Sequence, residues 1–248
     1  MPATSYPVSR HELRLAGLCY LAIIALGLSS EVFLRGALVV AGDASATAHN
    51  IAAQPQLWRL GLAADLLMQV LDLPVIVVLW RLLRPVNETW ALTATGLNLV
   101  QTAVLVANRV QLLTALEFAT APGLAAAFLP GQRDALAMLA VQLHGQGFGI
   151  GLVFFGFACV IRGALVAASG VAPRVLGWLL IAAGLAYLLN SFALLLAPTL
   201  AQWLFPAVML PVLVGELAFA LWLTAGKHPL AAPAAGPTSA PPPSGPTR

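Results

Sequence analysis

The sequence predicts an all-α polytopic membrane protein: a bundle of six transmembrane helices with the N- and C-termini both on the cytoplasmic side (N-in/C-in). Three observations predict it. Of 248 residues, 60% are hydrophobic and only 8% are charged, where a soluble domain carries about 25% charged residues. Apolar runs long enough to cross the hydrocarbon core, which takes about 20 helical residues, recur along the whole chain. Lysine and arginine gather on alternate connections, the asymmetry that sets orientation. Mean hydropathy is +0.91. Outer-membrane barrels are excluded, because their strands are short alternating segments.

Residues 1–12 form a polar cytoplasmic leader. The apolar run over 13–40 is far longer than the 7–15-residue core of a signal peptide, so it is an uncleaved first span. A loop over 41–56 leads to the second span, 57–83, LWRLGLAADLLMQVLDLPVIVVLWRLL. Arg84-Pro85-Val86-Asn87 turns into the third, 89–116. A Pro- and Gly-containing loop, 117–132, precedes the fourth span, 133–162, and Gly170-Val171-Ala172-Pro173 closes that region. The fifth span is 174–196 and the sixth 202–225. Residues 226–248 are rich in Pro and Ala and are predicted to be a disordered cytoplasmic tail.

On this reading Arg10, Arg14, Arg81, Arg84, Arg162, Arg174, Lys227 and Arg248 fall on one side of the membrane. The other side receives Arg35, Arg59, Arg109 and Arg133. The basic side is the cytoplasm. A net charge of +3 then has no bearing on nucleic acid, since topology accounts for the basic residues. Cys19 and Cys159 lie in apolar runs and read as small packing residues. Neither a metal site nor any other cofactor is expected.

The second span carries Asp65, Gln69 and Asp72 at i, i+4 and i+7, one face of a helix. Arg59 and Arg81 bracket it about 33 Å apart, which puts Asp72 near the midplane. A charged side chain there costs roughly 2.5–3.5 kcal/mol on insertion scales, so these acids need partners, protons or water. Span one offers Glu31 and Arg35, an i, i+4 ion pair in the favoured order. Span three presents Asn98, Gln101, Asn108 and Arg109 on one arc, with Arg109 placed to reach Asp65 or Glu31. Span four contains LHGQGFGIGLVFFG, whose glycines mark close helix packing rather than a dinucleotide loop, since no strand precedes them. His144 there is either a hydrogen-bonded packing residue or a ligand. Span five brings Tyr187, Asn190 and Ser191, and span six brings Glu216 below Pro206 and Pro211.

If Arg35 serves Glu31 and Arg109 serves Asp65, Asp72 and Glu216 remain without a fixed cation. The candidate intramembrane polar site is therefore Asp72, Gln69, Asn98, Gln101, His144 and Glu216, and Asp65, Arg109, Glu31 and Arg35 are the candidate ion pairs. RLAGLCYLAI at Arg14 and RVLGWLLIAAGLAYL at Arg174 also echo one another, each with a glycine three residues on.

Taken in order, RLAGLCYLAIIALG, GDASATAHNI, RLGLAADLLMQVLDLPVIVVLWRLLRPVN, LHGQGFGIGLVFFG and LGWLLIAAGLAYLLNSFALLL resemble a bacterial membrane-protein family known as domain of unknown function 4386. The resemblance runs from about Val8 to Trp222. It implies a multi-pass protein of the bacterial inner membrane and no activity.

Three functions fit the residues. One is a non-catalytic structural or sensor-type subunit whose polar side chains hold the helices together. A second is a protein that binds or moves a small solute, cation or proton through a polar cavity. Six spans are few for a complete secondary transporter, so that reading carries a homodimer with it. The third, an intramembrane enzyme, is the weakest: a metal-dependent version needs three or four ligands, and neither HExxH nor GxSxG is present. Beyond a small ligand or cation and the lipid bilayer itself, no partner is indicated.

Overall fold

The computed structural model describes residues 8–226. The start of the leader and nearly all of the Pro-rich tail lie outside the described residues. Among those residues, six helices are long and apolar enough to cross a membrane.

Helix α1, Arg10–Ser29, opens on a capping box. The Glu12 carboxylate accepts from the Ser9 amide at 2.7 Å, and the Ser9 hydroxyl accepts from the Glu12 amide at 3.2 Å. The two contacts satisfy amides that a helix start leaves free. The helix widens into a π turn over Ser30–Leu34, where the Arg35 amide reaches back to the Ser30 carbonyl at 2.8 Å. The first span therefore ends near residue 34, short of the expected 40.

The expected loop over 41–56 is largely helical: α2, Ala44–Ala53, is capped by Asp43, which accepts from the Ala46 amide at 2.9 Å. Helix α3, Pro55–Leu83, keeps Pro74 inside it. Asn87 caps α4, Glu88–Thr120. A short α5, Pro122–Ala127, occupies much of the second expected loop. Helix α6, Pro130–Ser169, runs 40 residues to Gly170, whose φ of 69° ends it. Helices α7, Arg174–Leu196, and α8, Pro198–Ala225, complete the chain, the latter ending at Gly226 with φ 62°. Both glycines take the left-handed conformation that other residues rarely adopt.

Each long helix packs against its neighbours in the chain, and α8 returns to α1, so the six form a closed up-and-down ring. Antiparallel contacts set the register. Arg81 of α3 pairs with Glu12 of α1 at one end, and Ser30 meets the Gly61 carbonyl at the other, 3.3 Å away.

The α6–α7 seam is the closest. A β-carbon at Gly163 would stand 2.6 Å from the Gly177 carbonyl oxygen, and one at Gly184 would stand 2.6 Å from the Gly156 carbonyl oxygen. Small residues let these backbones meet. Gly147 and Gly151, on another face of α6, lie against Asn108 and Leu105 of α4. The span-four glycines thus serve two neighbours. Gly17 packs on Thr224 of α8 and Gly177 on α6, so close packing accounts for the echo between Arg14 and Arg174.

Helix α6 also corrects the position of Arg162. A charged residue near the end of an apolar run reads as a span terminus, but α6 continues seven residues further and Arg162 is only 6% exposed. It can stay inside because Asn98 meets its charge, as described below.

Candidate functional site

Among the described residues, three groups of hydrogen-bonded or ion-paired polar side chains lie inside the ring. The first is nearest the π turn. Arg35 donates to Glu31 at 3.0 Å and forms an ion pair with Asp65. Arg109 lies 3.6 Å from the same Asp65 oxygen. Asp65 is 2% exposed, so one buried carboxylate faces two guanidinium groups.

Arg35 beside Glu31 and Arg109 beside Asp65 are the two pairs the sequence suggests, and Arg35 reaches Asp65 as well. The reason is local geometry. The π turn changes the phase of α1, and Gly61 of α3 has no side chain, so the Arg35 stem lies directly against it. A β-carbon at Gly61 would be 3.1 Å from Arg35 Cγ. Asp65 is one turn further along that face of α3.

Arg109 reaches His144 Nε2 at 3.1 Å and lies over the Phe148 ring. An arginine only donates, so Nε2 accepts from it. The Asn108 amide nitrogen is 3.1 Å from Nδ1 and donates to the His144 carbonyl at 2.8 Å. Trp58 closes this end by donating to the Leu112 carbonyl at 2.9 Å.

The second group sits at mid-bundle and centres on Asn98, which is fully buried. Its amide nitrogen donates to Asp72 and to Gln101, both at 2.8 Å, and its oxygen accepts from Arg162 at 2.5 Å. The Thr102 hydroxyl is 3.1 Å from the same Asp72 oxygen and 3.0 Å from the Asn98 carbonyl. Its single proton serves one of them at a time. Asn98 thus bridges a carboxylate on α3 and a guanidinium on α6. Asp72 forms no direct ion pair among the described residues, and Arg162 contacts the same Asn98 side chain from the opposite side.

The third group is a pair, in which Tyr187 of α7 donates to Glu216 of α8 at 2.7 Å. Glu216 has no fixed cation in direct contact among the described residues.

The six residues of the candidate polar site therefore divide. Asp72, Asn98 and Gln101 come together. His144 belongs to the first group and Glu216 to the third. Gln69 is buried on α3, and its side-chain oxygen meets no donor among the described residues. Arg162 and Thr102 were not among the residues singled out. A signal for Arg162 exists, since GALVAAS continues the apolar run beyond it. Thr102 stands one helical turn past Asn98, on the same face.

Among the described residues, two clefts lie on the side of the π turn. One, of about 190 Å³, is lined by Glu31, Arg35, Trp58, Leu112, Val141 and His144, among others. The other, of about 240 Å³, lies between α2 and the start of α6, beside His49 and Arg133. Asp72, Asn98 and Glu216 line neither.

No curated protein and no solved structure matches the chain. The family model described as Domain of unknown function (DUF4386) matches residues 15–226, a stretch that takes in all three polar groups and both clefts. The chain is a member of the DUF4386 family.

Proposed function

We propose that this multi-pass protein is a non-catalytic, sensor-type subunit of the bacterial inner membrane. Its buried polar groups fix the helix ring, and the cleft beside Arg35 is its receptive end. The observation that carries the reading is the Asp72–Asn98–Arg162 bridge. It joins three helices at mid-bundle, and its charged ends are engaged by the protein's own amide. A midplane transport site needs polar groups that face a passage, whereas the bridge turns its polar atoms toward one another. The two polar groups also share helices α3, α4 and α6, so a change at the Arg35 end has rigid elements along which to act.

The test is gradient-driven flux in proteoliposomes. The expected result is proton and alkali-cation uptake equal to empty liposomes, with Asp72→Asn still folding. Uptake above background that Asp72→Asn abolishes would replace this reading with the alternative, a binding or transport protein for a small solute, cation or proton.

The proposed orientation has both termini in the cytoplasm, supported by the arginines at the Arg10, Arg81, Arg84 and Arg174 end. Reporter fusions after Arg84 and after Arg174 are expected to read cytoplasmic, and fusions within residues 44–56 or 122–132 periplasmic. A periplasmic signal after Arg84 would reverse the assignment.

A further inference from the structure

We infer that the cleft between the π turn and His144 is a binding site for a small oxyanion, either free in solution or carried on a lipid head group. The site is built around two buried arginines. Arg35 and Arg109 are 8% and 3% exposed, and the one carboxylate buried with them is Asp65. Glu31, the second acid, pairs with Arg35 at the cleft, and its side chain is 71% exposed.

The hydrogen-bond inventory leans the same way. Nε and one terminal nitrogen of Arg109 are buried without an acceptor among the described residues. Two buried guanidinium groups thus stand together with too few acceptors, and an oxyanion is the ligand whose oxygens supply them.

The geometry gives such a ligand a way in. Arg35 and His144 both line the cleft, and Arg109 stands directly behind His144. A volume of about 190 Å³ equals roughly six waters at about 30 Å³ each. That is below the 300–1,000 Å³ usual for drug-sized ligands, so the fit is to a few oxygens and a short carbon chain or head group. The Arg35–Glu31 contact is the one exposed to water, and it is the contact that an incoming oxyanion displaces. A π turn beside the opening is a further mark, since such turns concentrate at functional sites. The inference goes beyond the sensor reading and does not depend on it, because a transporter could carry the same cleft.

Substituting Arg35 or Arg109 would disturb Asp65 and with it the fold, so the test uses Gly145→Leu. Gly145 lines the cleft, and a β-carbon added there meets nothing within 4 Å. The added side chain therefore obstructs the opening without crowding the bundle. The measurement is thermal unfolding of the full chain in neutral detergent. Sodium phosphate and sodium acetate are titrated against sodium chloride at matched ionic strength, and phosphatidylglycerol against phosphatidylcholine in mixed micelles. A ligand that binds only the folded state raises the midpoint saturably. The expected result is such a rise with an oxyanion in the natural protein and its loss in Gly145→Leu. A rise with the dissolved salts assigns a free oxyanion, and a rise with phosphatidylglycerol alone assigns a head group. A response no greater than with chloride and phosphatidylcholine would overturn the site, as would a response that Gly145→Leu leaves unchanged.

Discussion

Asp65→Asn is expected to destabilise the protein by about 3–5 kcal/mol, the cost of stranding a buried charge. Asp65 is the carboxylate that Arg35 and Arg109 share, so its removal leaves two guanidinium groups facing one another out of water. Arg109 has no other acid within ion-pairing distance among the described residues, whereas Arg35 keeps Glu31. A simultaneous Arg109→Gln should therefore recover part of the loss, because it removes the cation left without a partner. Arg35→Gln in the same background should recover less. Chemical unfolding of the single and double variants in detergent measures both effects. If Asp65→Asn unfolds like the natural protein, or Arg109→Gln recovers nothing, the shared-carboxylate account is wrong.

Asn98→Leu is expected to cost a similar amount, about 3–5 kcal/mol, although it removes no charge. Leucine matches asparagine closely in size but can neither donate to Asp72 nor accept from Arg162, so it parts a carboxylate and a guanidinium that are bridged only through it. Thr102→Val is the internal comparison. It deletes one of the contacts to Asp72 and should cost about 1 kcal/mol, the net worth of an ordinary hydrogen bond. Were Asn98→Leu to prove no more damaging than Thr102→Val, the bridge would not hold the three helices together.

How far these groups were legible in the sequence depends on which rule each residue obeys. Asp65, Gln69 and Asp72 share a face because α3 is a regular helix, and regular spacing can be counted. Asn98 and Gln101 on α4 follow in the same way, and counting depth alone places Arg109 near Asp65. Arg35 escapes such counting. Projecting it at 100° per residue assumes an α-helix, and the π turn at Ser30–Leu34 adds a residue to that turn and moves Arg35 onto Gly61. Arg162 was hidden by a different rule. Arginines usually mark the ends of spans, and the apolar GALVAAS beyond this one is a weaker mark than its partner Asn98, 64 residues away in the chain. Helix α2 announces itself through its cap, Asp43, but a short helix between spans lacks the length by which spans are recognised. A site assembled from four helices is legible where each contribution is periodic, and illegible where it depends on contact between distant segments.

The bridge at Asn98 also has a consequence for how the protein is made. Helix α3 emerges during synthesis with an acid at its middle, and lone insertion of such a residue costs roughly 2.5–3.5 kcal/mol. Asp65 finds Arg35 already present on α1. Asp72 does not: Asn98 follows 26 residues later, and Arg162 64 residues after that. At 5–20 residues per second, the second interval alone lasts about 3–13 s. During that time Asp72 has Asn98 and Thr102 of α4 beside it but not Arg162, which is the last member of that network to be translated.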